Sequence, residues 1–327
     1  KDLNDGENRM SNKAKLLSHF YQAYKSLYEF INTIFFPSTK ISGFIGNHMK
    51  HVASRMKDNR VVDLIDKSDG LFPYTNGVLE YCKISKTLMY RIIVPEDFVG
   101  MRSNCQIIYS QPTLSEIPQK EMEPFTKWFN QIFARTKMVG DKEQFDPEAT
   151  KEYTRYFLTI LSSFLNRYKP LKMFMTMQGS GNNGKSSIEG LLDECLGPLF
   201  STIERKAVLV GNRDNATSLA QLSSTRFSLM PEQDSVDTLD SGVIKSLVSG
   251  GAPFNARKSN HDAEKTSYRG ILCASTNKLS KMRHEPAMVR RLRIFPFDSI
   301  WMDKDDHSKV PTDERERMNK RIFYGNE

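Results

Sequence analysis

No run of about 18 consecutive apolar residues occurs in this 327-residue sequence, so no segment is built to cross a membrane as a helix. Cysteine is scarce. Cys82, Cys105, Cys195 and Cys273 are the only four, and no two form a CxxC pair. That spacing argues against a zinc site or a disulfide framework and fits a reducing compartment. His48 and His51 have the spacing of neighbours on one helix face. No acid or thiolate accompanies them, so a solvated face is expected there rather than a metal pair. Internal repeats and low-complexity linkers are absent. The opening Lys-Asp-Leu-Asn-Asp is neither a signal peptide nor an initiating methionine, which suggests a piece of a longer chain.

Apolar residues make up 39% of the chain and charged residues 26%, with 20 Phe and 12 Tyr available for burial. These are values for a globular protein and exclude disorder overall. The length suits two or three domains. Lys plus Arg total 47 against 39 acids, a net charge of +8. That balance leans modestly towards polyanionic partners.

The first half reads as mainly helical. Leu16, Phe20, Ala23, Tyr24, Leu27, Phe30, Ile31 and Ile34 mark an amphipathic helix from Lys13 to Phe36, stopped by Pro37. Short β-like runs follow between Leu71 and Ile108, with a turn signal at Asn76-Gly77. Helices return at Glu121–Phe133 and at Pro147–Tyr168, the second capped by Asp146. Trp128 reads as packing. A boundary is expected near Pro170.

After Pro170 the pattern becomes α/β. Met173–Met177 is a buried strand, Ser187–Cys195 a helix stopped by Gly197, and Phe227–Met230 and Ile271–Ala274 suit central parallel strands. Between the first strand and the helix lies Gly179-Ser180-Gly181-Asn182-Asn183-Gly184-Lys185-Ser186, which satisfies G-x-x-x-x-G-K-[ST]. Backbone amides must converge on a phosphate there, so residues without a Cβ are needed. The following helix points its positive end at the same phosphate. Lys185 can reach the β- and γ-phosphates, and the Ser186 hydroxyl can ligate Mg²⁺. The same glycines also satisfy the dinucleotide fingerprint G-x-G-x-x-G, with Glu204 as the acid that motif wants about twenty residues on. That fingerprint does not call for Lys-Ser after its last glycine, so the phosphate loop is preferred.

Four weaker features follow in order. Glu232 comes just after an apolar strand, with Gln233 and Asp234 beyond it. Asp240–Ser249 reads as a helix ending in Gly250-Gly251. Ala252–Lys258 and Thr266–Arg269 flank a polar tip, a β-hairpin carrying Arg257, Lys258, His261 and Lys265. Asn277 ends a strand, and Arg290-Arg291 precedes an apolar run.

This set resembles the superfamily 3 helicases, AAA+ replicative motors of viruses and plasmids. More narrowly it resembles the poxvirus-type primase-helicase branch of large DNA viruses and phages. The carriers are Gly179–Ser186, Met230-Pro231-Glu232, Val243–Gly251 running into Ala256-Arg257-Lys258, Ala274–Asn277 and Arg290-Arg291-Leu292. Upstream, Tyr74–Leu79 and Trp128-Phe129-x-x-Ile132-Phe133 look like that branch's N-terminal module. The likeness spans roughly Leu71 to Phe297.

The resemblance implies an α/β P-loop NTPase of AAA+ type, a parallel sheet flanked by helices, behind a mainly helical N-terminal module with a few short strands. It divides the chain into a helical segment (1–70), a collar module (71–169), an ATPase domain (170–300) and a partial lid or tail (301–327). The implied activity is ATP hydrolysis driving a DNA helicase. ATP would lie along Gly179–Ser187, with Ser186 and Glu232 or Asp234 on Mg²⁺; which acid serves is left open by Gln233 between them. Lys185, Glu232 and Asn277 would act on the γ-phosphate, and Arg290 or Arg291 would be a finger reaching a neighbouring subunit. The hairpin residues Arg257, Lys258, His261 and Lys265 would grip single-stranded or forked DNA in a homo-hexameric ring working with other replication proteins. The expected location is the host cytoplasm. An ATP-gated loader or origin-binding protein, and a non-hydrolysing ATP-binding scaffold, are the rival readings.

Overall fold

A computed structural model describes residues 66, 69–82, 84–107, 119–165, 167, 171–211, 219, 221–231, 238–257, 263–283 and 285–325. The helix expected over 13–36, the His48/His51 pair, Glu232, Asp234, Lys258 and His261 lie outside the described residues.

The described part opens with a three-stranded antiparallel sheet of β1 (Leu71–Pro73), β2 (Val78–Cys82) and β3 (Thr87–Arg91). The turn at Asn76-Gly77 forms as expected, closed by Tyr74 N donating to Gly77 O at 2.8 Å. A Cβ on Gly77 would strike the Tyr90 ring at 2.4 Å, so only glycine fits under that ring. Helix α1 (Gln119–Ile132) comes next, then the hairpin β4 (Thr136–Val139) and β5 (Lys142–Phe145), then α2 (Pro147–Leu161). Asp146 caps α2 by accepting from Ala149 N at 3.2 Å, and Pro147 opens it. This helix is shorter than its apolar stripe suggests and gives way to a 3₁₀ turn over Ser162–Leu165. Ser162 folds its hydroxyl back onto Thr159 O at 2.9 Å, a local bond that competes with helix continuation.

The central layer is a five-stranded, all-parallel sheet. Its strands are β6 (Phe174–Gln178), β7 (Phe200–Thr202), β8 (Phe227–Met230), β12 (Ile271–Thr276) and β14 (Leu292–Pro296), in the order β14-β6-β12-β8-β7. Between them run α3 (Lys185–Leu196), the short β9 (Thr238–Leu239), α4 (Ser241–Leu247), the hairpin β10 (Pro253–Arg257) and β11 (Ala263–Ser267), β13 (Lys281–Met282) and α5 (Pro286–Val289). The hairpin's second arm starts at Ala263, three residues earlier than its sequence suggests. The chain ends in a small unit of β15 (Ile300–Met302), α6 (Glu314–Lys320) and β16 (Ile322–Tyr324), whose two strands pair in parallel.

Parallel central strands are buried on both faces, which is why they read as apolar runs rather than alternations. Alternate residues still go to opposite sides. Met175 and Met177 of β6, Ile271 and Cys273 of β12, and Phe227 and Leu229 of β8 join a core with Phe129, Phe133, Phe157, Ile188 and Leu192. Phe174, Leu272, Ala274 and Met230 face the other core, with Ile203, Ile244, Leu247 and Met288. Helices α1, α2 and α3 therefore cover one face, and α4 and α5 the other. The fold is an α/β P-loop-type layer structure.

Buried arginines tie the antiparallel sheet to this layer. Arg226, only 3% exposed, donates to Leu71 O and Phe164 O, and Arg167 donates to Asp66 O and Ser223 O. Burial, then the neighbouring Arg167 charge, pushes the Arg226 guanidinium well below its ordinary value. Arg269 at the base of the hairpin pairs with Asp69 at 2.6 Å. Among the described residues no helix is long and apolar enough to cross a membrane.

Candidate functional site

Parallel strands deliver their C-terminal ends to one rim, where ligands of open α/β sheets bind. The register here puts Thr276 of β12 beside Gln178 of β6, and Ala274 beside Met230 of β8. Hence Gly179, Asn277 and Pro231, each the first residue past its strand, stand on the same edge. Strand β6 lies between β14 and β12 although β7 follows it in the chain, so the loop leaving β6 opens at the point where the strand order reverses.

That loop is Gly179–Gly184, and its backbone explains its composition. Gly181 sits at φ 109°, Asn182 at φ 43° and Gly184 at φ 87°, left-handed values that glycine adopts freely and asparagine tolerates. A Cβ on Gly179 would meet the Asn183 amide at 1.9 Å and Phe297 O at 2.7 Å. Gly179 N donates to Thr276 O at 3.1 Å, fixing the loop's start to β12. Gly184 caps α3 with no side-chain bond of its own, and Lys185 N donates to Asn183 Oδ1 at 3.5 Å; the first turn of α3 points its positive end at the loop, where an anion is favoured.

Lys185 opens α3 and is 7% exposed. Its ammonium donates to Gly179 O, to Asn183 Oδ1 at 3.3 Å and to Asn277 Oδ1 at 3.3 Å. A largely buried cation at the positive end of a helix suits negative charge. The phosphate-loop lysine and the strand-end asparagine, 92 residues apart, thus meet in space.

Around them opens a cleft of about 940 Å³. Its floor is Gly181–Ser187, with Pro231 and Ser275–Asn277 along one side. Ser186 lines it, where a metal-bound phosphate would lie; Glu232 and Asp234 fall outside the described residues, and Pro231 just before them is on the wall. The donor set present, a hydroxyl beside a lysine at a helix N-terminus, fits a nucleotide phosphate with a hard cation.

Sequence reasoning missed the roof of the cleft. Lys127, Trp128 and Gln131 of α1 line it from above, and Trp301, Arg317 and Tyr324 come from the chain's last thirty residues. Trp128, read from sequence as packing, is half-buried: it stacks edge-on against Phe129 at 4.9 Å and also borders the cleft. The tail is fastened directly to the loop by Trp301 N donating to Asn182 O at 2.7 Å. It is also held to the upstream elements, through Asn319 Oδ1 accepting from Phe145 N at 2.7 Å and Ser299 Oγ donating to Gln131 O at 2.6 Å. Its aromatic residues Trp301, Phe323 and Tyr324 were the available signal, hidden among charges.

The remaining candidates lie apart from the cleft. Arg290 ends α5, exposed, its Nε on Pro286 O at 3.3 Å. Arg291 is half-buried and donates to Ala287 O at 2.7 Å. Neither borders the cleft of its own chain. Lys265 is exposed on β11 opposite Asn255, and Arg257 pairs with Ala263 at the last described rung of the hairpin. Buried Ala256 and Tyr268 root that hairpin, and Asp240 caps the preceding helix by accepting from Gly242 N at 2.8 Å and Val243 N at 3.1 Å.

No family model matches the chain. Among characterised sequences it is 23% identical over 268 residues to "Putative helicase L207/L206" of Acanthamoeba polyphaga mimivirus, covering 80% of this chain and 25% of that protein. It is 28% identical over 171 residues to "Putative helicase 022R" of Frog virus 3, covering 48% of this chain and 17% of that one. "Putative helicase V13" of Sputnik virophage is 24% identical over 164 residues, with 47% of this chain and 21% of that protein covered. The chain is a distant relative of these viral proteins. It spans about a quarter or less of their length. Among solved structures, the NrS-1 C-terminal region superposes on 62% of this chain and 45% of its own at a TM-score of 0.41 and 10% identity, too loosely to argue from.

Proposed function

We propose that the chain is the ATP-driven motor of a DNA helicase in viral genome replication. The observation that carries this reading is the contact of Lys185 with Asn277 on the rim of the parallel sheet. A γ-phosphate placed between them would be held by the lysine and sensed by the asparagine, in one movement coupled to β12. The kinship with viral proteins named as helicases supports the same reading.

ATP lies with its phosphates over Gly179–Ser187 and its base under Trp128 and Trp301. Ser186, with Glu232 or Asp234, would hold Mg²⁺, which supplies charge neutralisation for the β- and γ-phosphate oxygens. Lys185 gives its present oxygen partners up to the phosphate, and Asn277 is freed to orient on it. Arg290, the more exposed of the two arginines, serves a neighbouring subunit's ATP in a ring. The hairpin β10–β11 carries Arg257, Lys258, His261 and Lys265 to single-stranded DNA, gripping phosphates without reading sequence. The elements before Pro170 form the collar of that ring.

Strand displacement tests it. With ATP, Mg²⁺ and a forked duplex, the assembled protein should release the labelled strand, and Lys185→Ala should not. DNA-dependent ring assembly with no strand release would replace the helicase by a loader.

A further inference from the structure

Sequence spacing separates Cys105 from Cys195, yet the fold brings them together. Cys195 is in the last turn of α3, the helix that begins at the phosphate loop. Cys105 belongs to the segment laid against the antiparallel sheet, its carbonyl accepting from Thr75 N and Thr75 Oγ1, both at 3.0 Å. Asn104 bridges the two. Its backbone N donates to Cys195 O at 3.0 Å, and its side-chain amide to Glu194 O at 2.8 Å, satisfying carbonyls at the end of α3. Both thiols are half-buried and reduced. Burial first, then the hydrogen bond and charge of Cys105, pushes the Cys195 thiol up to about 11. Tyr74 feels both sulfurs: after burial, their charges are the remaining causes that push its hydroxyl up to about 12.

We infer that Cys105 and Cys195 are a redox-sensitive pair, closing to a disulfide that staples the antiparallel sheet to the end of α3. The backbone bond beside them already holds the two segments in contact. The oxidant is a small disulfide such as oxidised glutathione. The thiolate of Cys105 attacks first, forming a mixed disulfide and releasing one glutathione thiolate. Cys195 then gives up its proton and displaces the second glutathione. Two thiol protons and two electrons pass to two glutathione thiols, and one protein S–S bond forms. Cys273 is fully buried, and Cys82 lies on β2 among other partners, its thiol lowered by bonds to Ser85 and Ile84. Neither takes part. The inference stands whether or not the cleft binds ATP.

The test is peptide mapping of the full chain after incubation with oxidised glutathione, alkylation in denaturant, and trypsin. The expected product is the fragment Ser103–Lys120 joined to Ser186–Arg205, released by dithiothreitol, present in Cys82→Ser and absent in Cys105→Ser and Cys195→Ser. The loop closed is long, so the oxidised wild type should also melt higher than the reduced protein by roughly 5–10 °C, a shift that Cys105→Ser lacks. Recovery of both cysteines as alkylated or singly glutathionylated peptides, or a cross-link through Cys82, would overturn the pairing. A joined pair that melts no higher would overturn the claim that the disulfide staples the sheet to α3.

Discussion

At the scale of single residues the cleft depends on charge placed where water is thin. Lys185 is nearly buried and held by three oxygens, two of them amide side chains. Removing it should leave the loop's backbone cradle in place while deleting the charge that steadies the transferring phosphoryl group. Lys185→Ala should therefore lower ATP turnover at least about a hundred-fold, measured as phosphate release at saturating ATP. Under the proposal, Trp128 meets the other half of the nucleotide. If it stacks on the base, Trp128→Ala should raise KM for ATP about ten-fold with kcat little changed, since a base–aromatic stack contributes about 1–3 kcal/mol. Equal losses in KM and kcat would assign the indole to holding α1 instead. Trp128 shows why some of the site escaped the sequence: a tryptophan beside Phe129 on an apolar stripe has the signature of core whether or not its outer edge borders a cleft. Gly179–Ser186 was legible because backbone geometry and phosphate chemistry jointly restrict each position.

Elements were legible in proportion to how local their causes are. The turn at Asn76-Gly77, the Asp146 cap, and the end of α3 at Gly197 rest on neighbours in sequence, and all formed where the residues predict. The tail did not announce its shape, because Trp301 and Asn319 acquire partners through long-range contacts with the phosphate loop and β5. The pairing of Cys105 with Cys195 has the same origin. The cap on α4 gives an element-scale prediction. Asp240→Ala removes the acceptor for Gly242 N and Val243 N, and should cost about 1 kcal/mol in urea unfolding. The hairpin gives another. Lys265 is exposed on β11, so Lys265→Ala should weaken single-stranded DNA binding equally across sequences and reduce the salt slope by about 0.7. A change confined to particular sequences would contradict a grip on phosphate alone.

At the scale of the whole molecule, the parallel sheet brings chemistry from distant stretches to one rim and leaves Arg290 outside it. Under the proposal, Arg290, which follows α5 and is exposed and away from its own cleft, serves an ATP presented by a neighbour. Doping Arg290→Ala subunits into wild type should then depress turnover more steeply than in proportion to the inactive fraction. A strictly proportional fall would confine each active site to one chain. The central claim is that this cleft burns ATP in response to DNA. Its most direct test is steady-state ATP hydrolysis by the assembled protein, with and without single-stranded DNA, alongside Lys185→Ala. The account predicts turnover that rises on adding DNA and disappears in the variant; no turnover in either condition, or turnover that Lys185→Ala retains, would contradict it.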